Sequence, residues 1–270
     1  MTQASAPADK VEFHRIPSRH GTLAAKSWTP GNGGASARAP VILIHDSLGC
    51  IELWRGFPLH LARATSRRVI AYDRLGFGES EAYPGNLPAD FIGEEAVNSF
   101  VNVIRHFELK RHVVFGHSVG GGMAVECASA FPDSCLGLVT ESAQAFIEDR
   151  TLDGIRAAKE NFALADQVDR LRKYHGDKAA WVLRAWIDTW LSGNFQCWNL
   201  DSALPKVRCP SLVMHGELDE FGSTRHAHRI SQRSAGPSRV EILLRCGHVP
   251  HREREDDVLA LVRQFLETVD

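Results

Sequence analysis

His112-Val113-Val114-Phe115-Gly116-His117-Ser118-Val119-Gly120-Gly121-Gly122 joins a strand pattern to a helix pattern through one tight turn. Residues 112–116 are an apolar run that reads as a buried strand, and residues 119–131 carry a helical pattern. Between them Gly116-His117-Ser118-Val119-Gly120 has the form G-x-S-x-G. Chance alone yields that form in roughly one chain of this composition in ten, so its setting decides its meaning. Here it directly follows a strand and directly opens a helix. A sharp strand-to-helix turn strains its middle residue, and side chains two places before and after would collide, so both places favour Gly. Such a turn projects the Ser118 hydroxyl from the carboxyl end of a sheet. The free N–H groups and positive dipole end of the following helix favour an oxyanion there.

Outward from this stretch the same alternation repeats. Residues 40–45 (PVILIH) and 67–73 (RRVIAYD) read as buried strands, with a helix pattern over 52–65 between them. A helix pattern runs through Phe91, Val97, Phe100, Val101, Ile104 and Phe107, spanning 91–107. Residues 136–140, 210–216 and 239–245 read as further strands, and a helix over roughly 253–268 closes the chain. Strands alternating with helices predict a mostly parallel sheet with helices on both faces. Residues 145–204 interrupt the alternation with helix patterns only, and Trp181, Trp186, Trp190 and Trp198 all fall there. That stretch reads as a helical cap, inserted in a core made of 1–144 and 205–270. Residues 1–10 read as loose, and 30–39, rich in Gly, Ala and Ser, as an exposed hairpin loop.

These features resemble the α/β-hydrolase superfamily over nearly the whole chain. His45-Asp46-Ser47-Leu48-Gly49 and Asp73-Arg74-Leu75-Gly76-Phe77-Gly78-Glu79-Ser80 also look like family loops. The resemblance implies an eight-stranded sheet, a Ser–acid–His order along the chain, and small serine esterases among similar members. It implies that Asp219 in His215-Gly216-Glu217-Leu218-Asp219 is the acid and that His248 in Gly247-His248 is the base. It implies oxyanion donors at the backbone N–H groups of Val119 and Ser47. Asp46 stands where the family usually has Gly, and a carboxylate there must turn away from a developing negative charge.

A serine hydroxyl is a poor nucleophile at neutral pH without a base in hydrogen-bond reach. The carboxylate partner fixes the imidazole tautomer and stabilises the imidazolium. His251 and His117 are other histidines near the motifs, and Glu217 and Glu141 are the alternative acids. Trp186 and Trp190 lie one helical turn apart and share a face, as an acyl pocket or as packing. Arg74 is a candidate for a substrate carboxylate, with pairing to Asp73 or Glu79 as the structural alternative. Cys50 and Cys246 lack a nucleophile setting and read as packing residues. His226 and His228 are two apart in a helical pattern, off a common face.

Composition bounds the rest. The 270 residues carry 31 basic and 33 acidic side chains, without the basic excess of a nucleic-acid or anionic-membrane binder. No apolar run reaches the roughly 18 residues of a membrane span, and the first residues show no signal-peptide core, so a cytoplasmic protein is expected. Six cysteines at irregular spacing predict reduced thiols. No metal-binding or nucleotide-binding motif is present, so no metal and no cofactor is expected. The expected activity is hydrolysis of a small-molecule carboxylic ester with a small or medium apolar acyl group, through an acyl-enzyme. A thioesterase, a lactonase or a carbon–carbon bond hydrolase would use the same groups, and a non-catalytic receptor would share the fold.

Overall fold

Val113, Val114 and Phe115 are fully buried because their strand lies in the middle of the sheet, covered on both faces. The computed structural model describes residues 8–31, 38–162 and 167–269. Its strands are β1 (Lys10–Ser18), β2 (Gly21–Thr29), β3 (Val41–Ile44), β4 (Val69–Tyr72), β5 (His112–His117), β6 (Cys135–Glu141), β7 (Ser211–Gly216) and β8 (Ser238–Leu243). They form one eight-stranded sheet in the order β1-β2-β4-β3-β5-β6-β7-β8. β1, β2 and β4 pair antiparallel, and β4 through β8 pair parallel. Parallel strands covered on both faces read as continuous apolar runs, as β3 and β4 do with every residue buried.

Successive side chains on these strands feed two separate cores, as the period of two requires. Ile42, Ile44, Ile70, Tyr72 and Val114 face a core shared with Phe100, Val103 and Met123. Val41, Leu43, Val69, Val113 and Phe115 face the other, shared with Phe57, Leu61, Val258, Val262 and Phe265. Each buried Val, Leu, Ile or Phe contributes about 1.5–3 kcal/mol relative to exposure.

The helices are α1 (Phe57–Thr65), α2 (Phe91–Glu95), α3 (Val101–His106), α4 (Val119–Ala130), α5 (Asp149–Phe162), α6 (Gln167–His175), α7 (Ala179–Trp190), α8 (Arg225–Arg233), α9 (Pro250–Glu253) and α10 (Glu255–Leu266). Between β6 and β7 the chain runs through α5, α6 and α7, and an isolated antiparallel bridge joins Phe146 to Asn199 near its two ends.

Several expected elements differ in detail. The 52–65 helix is two pieces, a 3-10 turn over Ile51–Trp54 and then α1, because Arg55 between them has φ 53°. A π turn over Ala96–Phe100 separates α2 from α3, and α9 and α10 divide the last helix. The hairpin lies upstream of its expected place: β1 turns into β2 at Arg19-His20, and β2 pairs with β4 and not with β3. Of the expected hairpin loop 30–39, residues 32–37 lie outside the described residues, as do residues 1–7 of the expected loose N-terminus. Residue 10, expected loose, already begins β1.

The register levels the carboxyl ends of the central strands. Ile44 lies beside Gly116, His117 beside Glu141, Glu141 beside Met214, and Gly216 beside Leu243. The loops that leave these ends therefore meet at one rim, which is where open α/β sheets bind ligands.

Candidate active site

Ser118 stands at the junction of β5 and α4 with φ 56° and ψ −125°. This is a sparsely populated conformation for a residue with a side chain, worth roughly 1–3 kcal/mol of strain. The turn survives because its neighbours are glycines. A Cβ on Gly116 would lie 2.0 Å from the Gly120 carbonyl oxygen, and one on Gly120 would lie 2.2 Å from the Ile44 carbonyl oxygen. The expected collision is thus real, but Gly120 meets the end of β3 and not the residue four places before it.

Three distant loops bring the nominated groups together. His248 Nε2 lies 2.9 Å from Ser118 Oγ, and His248 Nδ1 lies 2.8 Å from Asp219 Oδ1. Asp219 Oδ1 also accepts the backbone N–H groups of Phe221 at 2.8 Å and Gly222 at 3.2 Å. Its second oxygen faces His215 Nε2 at 3.3 Å. Burial alone would raise the Asp219 carboxyl, but the hydrogen bond and charge of His248 outweigh it and hold Asp219 below its usual range. Burial likewise pulls His248 down. The Asp219 hydrogen bond and charge, with smaller contributions from Asp46 and Glu220, carry it above its ordinary value. An acid kept ionised beside an imidazole kept basic is the electrostatic arrangement a serine nucleophile requires.

The two nominated oxyanion donors sit on either side of Ser118 in the fold, one opening α4 and one in the loop after β3. Val119 is the first residue of α4, so its N–H has no partner within the helix. Ser47 lies in the loop after β3 and lines the same cavity as Ser118. The Asp46 carbonyl accepts from His45 Nδ1 at 2.8 Å, Arg74 Nη2 at 2.8 Å and the Gly49 N–H at 3.2 Å. His45 Nε2 accepts the Arg74 backbone N–H at 3.1 Å, which leaves its ring proton on Nδ1. A trans peptide sets C=O and N–H on opposite sides, so anchoring the Asp46 carbonyl turns the Ser47 N–H the other way. Arg74 therefore pairs with neither Asp73 nor Glu79. It is buried, stacks on Phe77 at 4.1 Å, and holds this loop. Asp73 instead accepts the N–H groups of Ile51 and Glu79. The Asp46 carboxylate folds back over Gly49, where a Cβ would fall 1.9 Å from Oδ1.

A cavity of about 180 Å³ opens on Ser118 and His248. Trp186, Trp190, Phe221 and Ile155 supply its apolar wall, and Asp46, Glu220 and Gln144 its polar edge. Trp186 and Trp190 thus both face the cavity, while Trp181 packs between Phe77 and Tyr83 and Trp198 stacks on Phe195. Sequence reasoning missed Gln144, whose Oε1 lies 3.4 Å from Ser118 Oγ. Its only signal is a place three residues past the end of β6. His175 of α6 was also missed: its Nε2 donates to the Leu48 carbonyl and its Nδ1 accepts the Gly78 N–H, tying α6 to the loops after β3 and β4.

The rival residues have other partners. Glu141 bonds His251 at 2.6 Å, Glu217 accepts the Arg245 N–H at 3.0 Å, and His117 reaches the His248 carbonyl at 2.8 Å. Burial pushes the Cys50 and Cys246 thiols up to about 12, which keeps both inert. Among the described residues, His117, Glu141 and His251 are a group whose ligating atoms lie within 4.8 Å of one another. The hydrogen bonds just given already engage all three side chains.

Residues 41–261 match the model of the Alpha/beta hydrolase family. The chain belongs to that family. As an alpha/beta hydrolase it is 28% identical over 240 residues to the serine hydrolase BPHL of Homo sapiens, covering 84% of this chain and 79% of that one. It is 24% identical over 277 residues to a proline iminopeptidase of Lactobacillus helveticus (strain DPC 4571), covering 88% and 93%. Among solved structures it is similar to the 2-hydroxy-6-oxo-6-phenylhexa-2,4-dienoate hydrolase of Rhodococcus sp. strain RHA1, with a TM-score of 0.76 at 18% identity. That alignment covers 96% of this chain and all of the other, and shows a shared fold. Among the described residues no helix is long and apolar enough to cross a membrane.

Proposed function

We propose that this alpha/beta hydrolase is a serine esterase that cleaves a carboxylic ester of a small or medium apolar acyl group through an acyl-enzyme. One observation carries the reading: Ser118 Oγ, His248 and Asp219 form an unbroken chain of 2.9 and 2.8 Å contacts, and Ser118 and His248 line a largely apolar cavity. His248 Nε2 takes the hydroxyl proton as Ser118 Oγ attacks the ester carbonyl. The N–H groups of Val119 and Ser47 stabilise the tetrahedral oxyanion. His248 then gives the proton to the leaving alcohol, and water, activated by the same imidazole, releases the acid. The helical stretch 145–204 is the cap over this cavity, and Trp186 and Trp190 are its contribution to the acyl wall. The substrate is a small molecule, and the protein acts in the cytoplasm.

The lining favours an ester over the dienoate named for the Rhodococcus enzyme. A dienoate carries a carboxylate, whereas the charged side chains of this lining besides His248 are Asp46 and Glu220, both acidic. A panel of p-nitrophenyl esters of rising acyl length tests the reading. Turnover with a chain-length optimum, lost in Ser118→Ala, is expected. Absence of turnover on every ester, or turnover unchanged in Ser118→Ala, overturns it.

A further inference from the structure

We propose that His117 and Glu253 are positioning residues that clamp the backbone of His248 from both sides; the proposal rests on the serine-hydrolase reading. His248 belongs to neither helix nor strand. β8 ends at Leu243 and α9 begins at Pro250, with Arg245 at φ 54° between them. A base on such a loop needs another source of rigidity, since a displacement of about 1 Å at a reacting group can cost on the order of 100-fold in rate.

Side chains provide that rigidity. The Glu253 carboxylate accepts the N–H of Gly247 at 2.7 Å and of Val249 at 3.0 Å, the two residues that flank His248. The carbonyl of His248 itself accepts from His117 Nε2 at 2.8 Å. A carbonyl cannot donate, so the ring proton of His117 lies on Nε2. Burial pushes His117 down to about 4, which keeps the ring neutral at physiological pH. Asp219 holds the imidazole of His248 while His117 and Glu253 hold its main chain.

The clamp is built into the nucleophile's own strand. His117 is one peptide bond from Ser118, so the contact that fixes the base originates beside the group the base must reach. Beneath it, Glu141 of β6 receives the Ser118 N–H on its backbone carbonyl at 2.9 Å and bonds His251 of α9 through its side chain at 2.6 Å. The His117 and His251 rings pack at 5.0 Å. α9, which carries Glu253, is thereby seated against the two strands that frame the serine.

Glu253 is exposed, so its replacement tests the clamp without disturbing a core; His117→Phe tests the buried side. On p-nitrophenyl butyrate, Glu253→Ala and His117→Phe are each expected to lower kcat by about 10- to 100-fold with KM within about twofold. Glu253→Gln, whose single amide oxygen keeps one of the two N–H bonds, is expected to recover activity to between Glu253→Ala and the wild type. The acid limb of kcat/KM should move downward in both disabling variants as the His248–Asp219 contact loosens. The rate of fluorophosphonate modification at Ser118 should fall by the same factor as kcat. That rate can be read even if no ester in hand is a substrate, which separates failure of the clamp from failure of the esterase reading. Folded Glu253→Ala with kcat, labelling rate and pH midpoint all at wild-type values overturns the proposal. So does a loss of melting temperature unaccompanied by any change in those three.

Discussion

The buried guanidinium of Arg74 donates to the carbonyl oxygen of Asp46 at 2.8 Å, and this contact orients the peptide whose other end is the Ser47 N–H. Arg74→Ala removes one of three donors to that carbonyl. The Ser47 N–H should then wander from the oxyanion position. Loss of a whole oxyanion donor costs about 100- to 1000-fold in kcat, and partial loss of its alignment should cost about 10- to 100-fold. Steady-state kinetics on a p-nitrophenyl ester should place that loss in kcat and leave KM nearly unchanged. A rise in KM alone would instead make Arg74 a substrate-binding group.

The pH profile follows from the electrostatics of His248. The base works as neutral imidazole, and its pKa lies above the ordinary histidine value of 6.5 because Asp219 overcomes the burial penalty. kcat/KM should therefore rise with pH through a midpoint above 6.5 and flatten beyond it. Asp219→Asn removes the largest raising contribution. Its midpoint should fall below the wild-type value while kcat drops by about 10⁴-fold. Linkage gives the same group a stability signature: its contribution is fully present below pH 6.5 and is lost as pH rises through the raised value.

Substrate charge is a third point of access. Asp46 and Glu220 line the cavity, and His248 is the one basic side chain among its lining residues. An ester whose acyl chain ends in a carboxylate should show kcat/KM about 5- to 10-fold below a neutral ester of equal length, from interactions of about 1 kcal/mol at a partly solvated site. Asp46→Asn should narrow the gap, and added salt should narrow it further. Equal rates for the two esters at low salt would contradict the assignment of those carboxylates to the substrate side.

The turn under Ser118 predicts a stability contrast between two glycines. A Cβ on Gly120 would meet backbone oxygens of Ile44 at 2.2 Å and His45 at 2.5 Å, whereas one on Gly193 would meet nothing within 4 Å. Gly120→Ala should lose about 1–3 kcal/mol or more in urea unfolding, and Gly193→Ala should change little.

Ser118, Asp219 and His248 were legible in the sequence because each sits in a short motif at the end of an apolar strand, and strand ends in a parallel sheet are level. The roles of Arg74 and His175 were not, because their partners are backbone carbonyls 28 and 127 residues away, which no local pattern encodes. Gln144 carries no motif at all. The β1–β2 hairpin escaped because β1 is an edge strand whose alternation is blurred: Phe13 is 76% exposed, and Ile16 is its one fully buried side chain. Helix breaks at Arg55 and over Ala96–Phe100 arise from backbone geometry that the apolar spacing runs straight through. Asp46 was legible as a departure from a loop pattern, but only its fold over Gly49 shows where its carboxylate goes.

The central claim is that the Ser118 hydroxyl is activated by His248 in the folded protein. Treating the native protein with a fluorophosphonate probe and locating the adduct by peptide mass spectrometry tests it most directly. One equivalent of label on Ser118, abolished by prior denaturation and slowed at least about 100-fold in His248→Ala, is the expected result. An unmodified Ser118 in folded protein, or labelling at the same rate without His248, would contradict it.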